Sequence, residues 1–207
     1  IFFCFIASSA FAQFTFQYEW DVYNNASGIS NDFIYSVRQT TDGGYILTGE
    51  ANSGCCSPGS SMTDMFIIKT SSDGTVTWRS LTDDNQLLSE MGQIVQSTSD
   101  GGYIVIGSGN AHLTGGGGCD YWSYALWKYD SGGSLLWQKT YGGNGCALSC
   151  ADFVAGGQQT YDGGYILAGN GNGCFPAQHV VKTDGAGTIQ WDKAYGLAGS
   201  NGMSGMQ

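Results

Sequence analysis

The chain has few basic residues, few prolines and few histidines. Of its 207 residues, 7 are Lys or Arg against 17 Asp or Glu, which gives a formal net charge of −10. This balance argues against a protein that works by neutralising phosphates on nucleic acid or on anionic lipid. The 2 histidines leave few possible bases for a catalytic triad or dyad.

Long hydrophobic runs are also missing. No segment approaches the roughly 18 consecutive apolar residues of a transmembrane helix, so no membrane span is predicted. The apolar N-terminal stretch ends in Ala10-Phe11-Ala12 before Gln13, which is the small-x-small pattern of a secretory cleavage site. We interpret residues 1–12 as a signal peptide, with an N-terminal anchoring strand as the alternative, and expect a secreted or cell-surface protein.

Glycine and aromatic residues are abundant instead. The chain has 34 glycines, only 2 prolines and 14% aromatic residues. A disordered chain would be poor in aromatic residues. The composition therefore favours short aromatic-rich strands joined by many tight turns.

One hexapeptide, Asp-Gly-Gly-Tyr-Ile-Leu/Val, occurs three times. Its copies are Asp42–Leu47, Asp100–Val105 and Asp162–Leu167, which begin 58 and 62 residues apart. A turn and strand repeated at such intervals indicates one structural unit copied along the chain.

The rest of the unit repeats as well. Each hexapeptide follows a polar-apolar stretch and precedes an apolar run that ends in Lys69, Lys128 or Lys182. A second glycine turn then leads to a segment that closes on tryptophan. We divide each unit into four strands, A to D, and place the units at about 31–80, 90–140 and 152–195. The residues assigned to this structural repeat are Asp42, Gly43, Gly44, Tyr45, Asp100, Gly101, Gly102, Tyr103, Asp162, Gly163, Gly164, Tyr165, Trp78, Trp137 and Trp191.

These strands predict an all-β fold. They are short, rich in β-branched and aromatic residues, and bounded by turn residues, and Asp-Gly suits tight hairpins. Four-stranded antiparallel blades in series are typical of a β-propeller, with a β-solenoid as the alternative. We therefore expect a partial propeller over 13–207. It would contain about three blades, a lone N-terminal strand at 14–23 and the start of a further unit at 196–207, with further blades of the same chain missing from this fragment.

Two segments carry a resemblance to a known family. Asp162–Gly169 reads Asp-Gly-Gly-Tyr-Ile-Leu-Ala-Gly, and Trp137–Gly143 reads Trp-Gln-Lys-Thr-Tyr-Gly-Gly. These repeats resemble the propeller-type repeats of large secreted Bacteroidota proteins, which often carry a C-terminal sorting domain for type IX secretion. The resemblance covers nearly all of Phe14 to Gln207 and implies architecture and an extracellular location.

Cysteines and long loops are predicted to share one face. Strands alternate in direction, so B–C and D–A connections emerge on the same side. We call this side the loop face; it comprises Glu50–Met62, Ser80–Glu90, Ser108–Tyr121 and Tyr141–Asp152. The opposite side, with the turns at Asp42, Asp100 and Asp162, is the hairpin face. The disulfide candidates on the loop face are Cys55, Cys56, Cys119, Cys146, Cys150 and Cys174.

An even number of cysteines behind a signal peptide favours disulfides. Plausible pairs are Cys119 with Cys146 and Cys150 with Cys174, which leaves Cys55 with Cys56. Fifteen pairings are possible for six cysteines, so connectivity stays open.

Two classes of function remain open. The first is a non-enzymatic binding or adhesion scaffold that contacts a glycan or protein at the cell envelope through the loop face. Its candidate binding residues are His112, Asp120, Tyr121, Trp122 and Tyr124.

The alternative is a secreted hydrolase that acts on polysaccharide with carboxylates on the same face. Its candidates are Asp83, Asp84, Glu90, Asp120 and Asp152. No metal or cofactor is predicted, because the spacing around His112 and Cys119 matches no strong zinc pattern.

Overall fold

The structure of the chain is a computed structural model that describes residues 32–52, 63–82, 87–112, 120–142, 151–172 and 178–195. Every regular element within these ranges is a β-strand, which confirms the all-β prediction. The strands are β1 (Phe33–Gln39), β2 (Tyr45–Asn52), β3 (Thr63–Thr70), β4 (Val76–Leu81), β5 (Leu87–Ser97), β6 (Tyr103–His112), β7 (Asp120–Tyr129), β8 (Leu135–Tyr141), β9 (Ala151–Gln159), β10 (Tyr165–Asn172), β11 (Gln178–Thr183) and β12 (Ile189–Tyr195).

The twelve strands form three four-stranded antiparallel units. Unit 1 is β1–β4, unit 2 is β5–β8 and unit 3 is β9–β12, and within each unit consecutive strands pair. Units 2 and 3 are joined by one parallel pair, Trp122 with Ala151. The signal segment at 1–12, the lone strand at 14–23 and the further unit at 196–207 lie outside the described residues. The arrangement of the units as part of a propeller remains a prediction.

The A-to-B turn has the same chemistry in every unit. In unit 1 the Gly43 amide donates to the Thr40 carbonyl and the Thr40 amide donates to the Gly44 carbonyl, both at 2.9 Å. The first glycine of the motif has positive φ in all three copies, 83°, 83° and 80° at Gly43, Gly101 and Gly163. Residues with a Cβ rarely adopt this conformation, which explains the glycine.

The three A strands share a bulge at the equivalent position, and β5 has a second register shift between Leu87 and Ser89. The register of pairing with strand B shifts between Ile34 and Ser36 in unit 1 and between Gly92 and Ile94 in unit 2. In unit 3 the shift lies opposite Ala168 and Gly169. A bulge increases local twist and bends a strand, so the three units share a bend as well as a sequence.

Most of the hydrophobic core lies between consecutive units, although a smaller cluster of Ala51, Phe66 and Ile68 lies within unit 1. One cluster joins Ile46, Met65 and Ile67 of unit 1 to residues of unit 2 that include Val95 and Trp127. A second cluster joins unit 2 to unit 3. Its members are Ile104, Ile106, Tyr124, Leu126, Tyr141, Val154, Tyr165, Leu167 and Val181. Each unit therefore buries much of its apolar surface against its neighbour, as expected for a repeat protein.

The part of the chain that the structure describes holds no helix with the length and apolar character needed to cross a membrane.

Candidate functional site

The loop-face end of the β6–β7 hairpin brings several predicted binding residues together. His112 pairs with Asp120, and the next pairs along the ladder are Ala111 with Tyr121 and Asn110 with Trp122. His112 and Asp120 are eight residues apart in the sequence, and their pairing was not predicted. The side chains of His112, Asp120 and Tyr121 lie outside the described residues, so their roles remain predictions.

Three strand ends converge beside this hairpin. Trp122 near the start of β7 pairs with Ala151 at the start of β9, and Ala151 also pairs with Asn172 at the end of β10. Cys119, Cys150 and Cys174 stand within two residues of Asp120, Ala151 and Asn172 in the sequence. All six disulfide candidates lie outside the described residues.

An aromatic pair marks this junction. The rings of Trp122 and Phe153 have centroids 5.3 Å apart and an interplanar angle of 34°. Both residues are partly exposed. Phe153 was not among the predicted site residues. It follows Ala151 by two residues, so the pairing of β7 with β9 is sufficient to place it near Trp122. We call Trp122 and Phe153 the aromatic junction.

Tyr124 does not belong to the exposed surface. Its side chain is 0% exposed and lies in the cluster between units 2 and 3. Its hydroxyl donates to the His179 carbonyl at 3.3 Å. Tyr124 follows Trp122 by two residues and so shares its face of the strand, but unit 3 covers it. The inclusion of Tyr124 among surface contact residues is therefore corrected: it is a core residue.

His179 forms a polar contact that the sequence did not indicate. Its Nε2 atom contacts a carboxylate oxygen of Asp192, and the His179 side chain is only 7% exposed whereas that of Asp192 is 44% exposed. The imidazole ring also lies 5.6 Å from the Tyr124 ring. His179 is therefore packed between Tyr124 of β7 and Asp192 of β12.

Of the five carboxylates predicted for a hydrolase, only Glu90 has a described side chain. Asp83 and Asp84 lie outside the described residues, as do the side chains of Asp120 and Asp152. Glu90 is described and is only 2% exposed. Its carboxylate contacts the Thr82 hydroxyl, so this carboxylate is held inside the protein.

A second buried carboxylate lies in unit 1. Glu50 is 9% exposed and accepts a hydrogen bond from the Tyr35 hydroxyl at 2.6 Å. Burial, together with this neighbouring carboxylate, raises the pKa of Tyr35 to about 12. The tyrosine therefore stays protonated and acts as a hydrogen-bond donor that anchors the bulge of β1 to β2.

The hairpin face carries a repeated ion pair. Lys69, Lys128 and Lys182 contact the motif aspartates Asp42, Asp100 and Asp162 at 2.8, 2.9 and 2.8 Å. Each ammonium also donates to the backbone carbonyl of the residue that follows the lysine. The lysines are buried cations, each neutralised by the turn of its own unit.

The motif aspartates accept further hydrogen bonds from their own turns. Asp100 Oδ1 accepts from the Thr98 hydroxyl at 2.5 Å and from the Gly102 amide at 3.1 Å. Partial burial raises the pKa of Asp100, but the bonds from Thr98, Lys128 and Gly102 outweigh it and lower the pKa to about 2. The pKa values of the equivalent Asp42 and Asp162 are also lowered, first by their lysines. These aspartates stabilise turns, as predicted.

An open cleft lies on the hairpin face between the A strands of units 2 and 3. Its volume is about 430 Å³, and it is lined by Ser99, Gln158, Gln159, Thr160 and Tyr161. Tyr161 is fully exposed. Sequence reasoning missed this cleft. The sequence did carry one signal for it: Tyr161 is aromatic, whereas the equivalent residues of the other copies, Thr41 and Ser99, are small and polar.

Glutamine side chains fix the walls of this cleft. Gln96 Nε2 donates to the Gly157 carbonyl at 3.2 Å, and the Gln159 amide donates to Gln96 Oε1 at 3.1 Å. Gln159 Oε1 in turn accepts from the Ser99 amide at 2.9 Å. The backbone N–H and the side-chain oxygen of Gln159 therefore both form hydrogen bonds that join units 2 and 3.

No protein-family model matches the chain, and no curated protein sequence matches it significantly. Within the residues that the structure describes, no group of three or more His, Cys, Asp or Glu side chains is arranged to hold a metal ion.

Proposed function

We propose that the protein is a secreted or cell-surface scaffold that binds a glycan or a protein of the cell envelope without catalysing a reaction. The contact surface is the loop face, centred on the aromatic junction of Trp122 and Phe153. The secreted location rests on the signal-like residues 1–12 and on the resemblance to secreted Bacteroidota repeat proteins, for which type IX secretion is the proposed route.

The observation that carries this proposal is the convergence of strand ends at the aromatic junction. Trp122 is partly exposed, its ring centroid lies 5.3 Å from that of Phe153, and the His112–Asp120 pair lies two positions further along the β6–β7 ladder. Aromatic rings supply a large contact area at low conformational cost and stack on sugar rings or protein side chains. The strands beneath them are fixed by the core between units 2 and 3, so the contact residues are held on a rigid frame.

The proposed disulfide between Cys150 and Cys174 is consistent with strand register. Ala151 follows Cys150 directly, Asn172 precedes Cys174 by two residues, and Ala151 pairs with Asn172 in one antiparallel ladder. A disulfide here would tie the start of β9 to the chain after β10. Such a link would stabilise the loop face mainly by restricting the unfolded chain.

Binding of the intact protein to a glycan array and to purified envelope fractions tests the proposal. We expect Trp122→Ala to reduce affinity at least about 10-fold, as for loss of one aromatic anchor worth about 1.4 kcal/mol. Trp122→Phe should retain part of it. The matched control is Tyr161→Ala, which removes an exposed aromatic residue from the hairpin face.

Equal unfolding midpoints of the variants and the wild type would show that loss of binding is local. Binding that depends on Tyr161 and not on Trp122 would move the site to the hairpin face and contradict the proposal. Hydrolysis of a polysaccharide by the wild type, abolished by Asp120→Asn or Asp152→Asn, would favour the hydrolase alternative.

A further inference from the structure

The cleft on the hairpin face has described residues on both of its walls. Ser99 lies on one wall, in the A-to-B turn of unit 2. Residues 158–161 form the other wall, where β9 ends and the A-to-B turn of unit 3 begins. The volume of about 430 Å³ falls within the roughly 300–1,000 Å³ of small-molecule sites in proteins. The cleft is therefore large enough for a small ligand.

The repeat assigns the segments that adjoin the described units to positions away from this cleft. Residues up to 31 precede unit 1, which contributes no lining residue. Because Trp191 aligns with Trp137, residues 196–207 align with 142–153, which lead from β8 into the start of β9 on the loop face. The cleft lies at the opposite end of β9, so both of its walls and its opening are set by units 2 and 3.

Hydrogen bonds hold the walls in place before any ligand arrives. Gln159 Oε1 accepts from the Ser99 amide at 2.9 Å, and Gln159 Nε2 donates to the Gly163 carbonyl at 3.3 Å. The Thr160 hydroxyl donates to Asp162 at 2.5 Å. A ligand would therefore meet a preorganised surface, which reduces the entropy lost on binding.

Three other side chains of the cleft keep their polar groups for a ligand. Gln158, Ser99 and Tyr161 are all exposed, and none of these side chains has a hydrogen bond to another described residue. The Gln158 amide both donates and accepts hydrogen bonds, and so do the two hydroxyls. The cleft thus offers several neutral donors and acceptors close together.

Tyr161 departs from the repeat at this position. Thr41 and Ser99 are its equivalents in units 1 and 2, and the backbone hydrogen bonds of the turn are the same in all three units. The turn itself therefore does not need an aromatic residue. A fully exposed ring beside polar groups provides a flat apolar surface on which a ligand can lie.

Charge narrows the ligand class. None of the lining residues is charged. Asp162, which follows Tyr161 in the sequence, is paired with Lys182 at 2.8 Å, and the net charge of −10 disfavours an anionic ligand. The cleft therefore suits a neutral molecule with hydroxyl groups at its edge and C–H groups on its face.

We propose that this cleft binds one ring of a neutral sugar, a hexopyranose. The C–H face of the sugar lies on the Tyr161 ring, and the sugar hydroxyls form hydrogen bonds with Gln158 and Ser99. The site is separate from the loop face, which lies at the other end of the strands, so it does not rest on the function proposed for that face.

Ligand-observed NMR of the full chain with a panel of methyl pyranosides tests the proposal, followed by calorimetric titration of the probes that bind. The neutral probes are the methyl glycosides of glucose, galactose, mannose and N-acetylglucosamine, and methyl glucuronide is the anionic comparison. We expect at least one neutral probe to bind, and more tightly than methyl glucuronide. No signal from any neutral probe at about 10 mM, at which a site with a Kd of about 1 mM is largely filled, overturns the proposal. Tighter binding of the anionic probe also overturns it.

Variants locate the binding. Tyr161→Thr copies the turn of unit 1, so the fold should tolerate it, and we expect the affinity for the sugar to fall at least about 10-fold. Tyr161→Phe keeps the ring and should lose less. Gln158→Ala should reduce affinity about 2- to 10-fold through loss of the amide. Thr41→Ala, at the equivalent position of unit 1, is the control and should bind like the wild type.

The two proposed sites can fail independently. Circular dichroism verifies that each variant is folded. A sugar whose binding is unchanged in Tyr161→Thr is bound elsewhere, which overturns this inference. If that binding is lost in Trp122→Ala, the same result supports the loop face. For a ligand held at the loop face, a change at Tyr161 should have no effect, because the cleft lies at the opposite end of the strands.

Discussion

Lys128 and Asp100 form an ion pair whose two partners differ sharply in exposure. The Lys128 side chain is 4% exposed and the Asp100 side chain is 59% exposed, with 2.9 Å between Nζ and Oδ2. The same ammonium donates to the Tyr129 carbonyl at 3.1 Å. A turn at the surface therefore neutralises a cation that would otherwise be buried without a counterion, and the repeat does this three times.

The first prediction concerns loss of that counterion. Asp100→Asn leaves the buried ammonium of Lys128 without a carboxylate, and we expect it to lower the free energy of unfolding by about 1–2 kcal/mol. This is less than the roughly 3–5 kcal/mol lost when a fully buried pair is broken, since Asp100 is largely hydrated. Urea unfolding of the wild type and the variant measures the difference.

The matched control is Asp73→Asn in the second turn of unit 1. Asp73 accepts from Ser71 and Thr75 in the same manner as a motif aspartate accepts from its turn, but no lysine contact accompanies it among the described ion pairs. We expect a smaller loss than for Asp100→Asn. Equal losses would mean that the turn hydrogen bonds, and not the ion pair, account for the effect.

The repeated aspartate was predictable from the sequence, whereas its lysine partner was not. An Asp before Gly-Gly indicates a turn because of local backbone preferences. The lysine follows Asp42 by 27 residues and Asp162 by only 20, since the B–C loops differ in length. Only the register of β2 with β3, in which Ile46 pairs with Lys69, brings the charges together.

The second prediction separates the two glycines of the motif. Gly101 has a φ of 83° with open space around its Cβ position, so Gly101→Ala should cost about 1–2 kcal/mol of backbone strain. A Cβ on Gly102 would lie 2.3 Å from the Tyr129 carbonyl oxygen and 2.5 Å from Lys128 Nζ. We expect Gly102→Ala to cost about 3 kcal/mol or more, because it displaces the ammonium as well as the strand.

Thermal and urea unfolding distinguish these two effects. Gly132→Ala is the control, since its Cβ would meet only the Asp130 carboxylate, at 3.4 Å, and it should change stability little. If Gly102→Ala proved milder than Gly101→Ala, the close approach of the lysine would not be the reason for the second glycine.

The candidate site was less predictable than the frame. Alternation along β7 places Trp122 and Tyr124 on one face of the strand, but it does not show which part of that face unit 3 covers. The inter-unit contact buries Tyr124 and leaves Trp122 partly exposed. Which residues of a repeat face a neighbour depends on packing between units, and that information is not present in the pattern of a single strand.

The third prediction concerns acid. The pKa of Asp100 falls to about 2, and those of Asp42 and Asp162 are also lowered. A folded-state pKa below the unfolded value of about 3.9 contributes stability that is complete above roughly pH 4 and is lost as pH falls toward 2. We expect the wild type to lose stability progressively over that window.

A variant with Asp42, Asp100 and Asp162 all changed to Asn should be less stable at pH 5 and less sensitive to acid. Urea midpoints of both proteins at pH 5, 4, 3 and 2 provide the comparison. Parallel curves for the two proteins would show that other carboxylates dominate acid unfolding.

The fourth prediction concerns the contact between units 2 and 3. Tyr141→Phe removes the donor to the Gly187 carbonyl while keeping the ring, and we expect a loss of about 1 kcal/mol because the carbonyl then lacks that partner. Burial, assisted by the charge of Asp184, raises the pKa of Tyr141, so its hydroxyl remains a donor throughout the neutral range. The equivalent change at Tyr195, which is 48% exposed, should have little effect on stability. Hydrogen exchange locates the change: Tyr141→Phe should speed exchange in β11 and β12 more than in β2 and β3. Uniform acceleration in all three units would instead show that the bond supports the whole chain and not one interface.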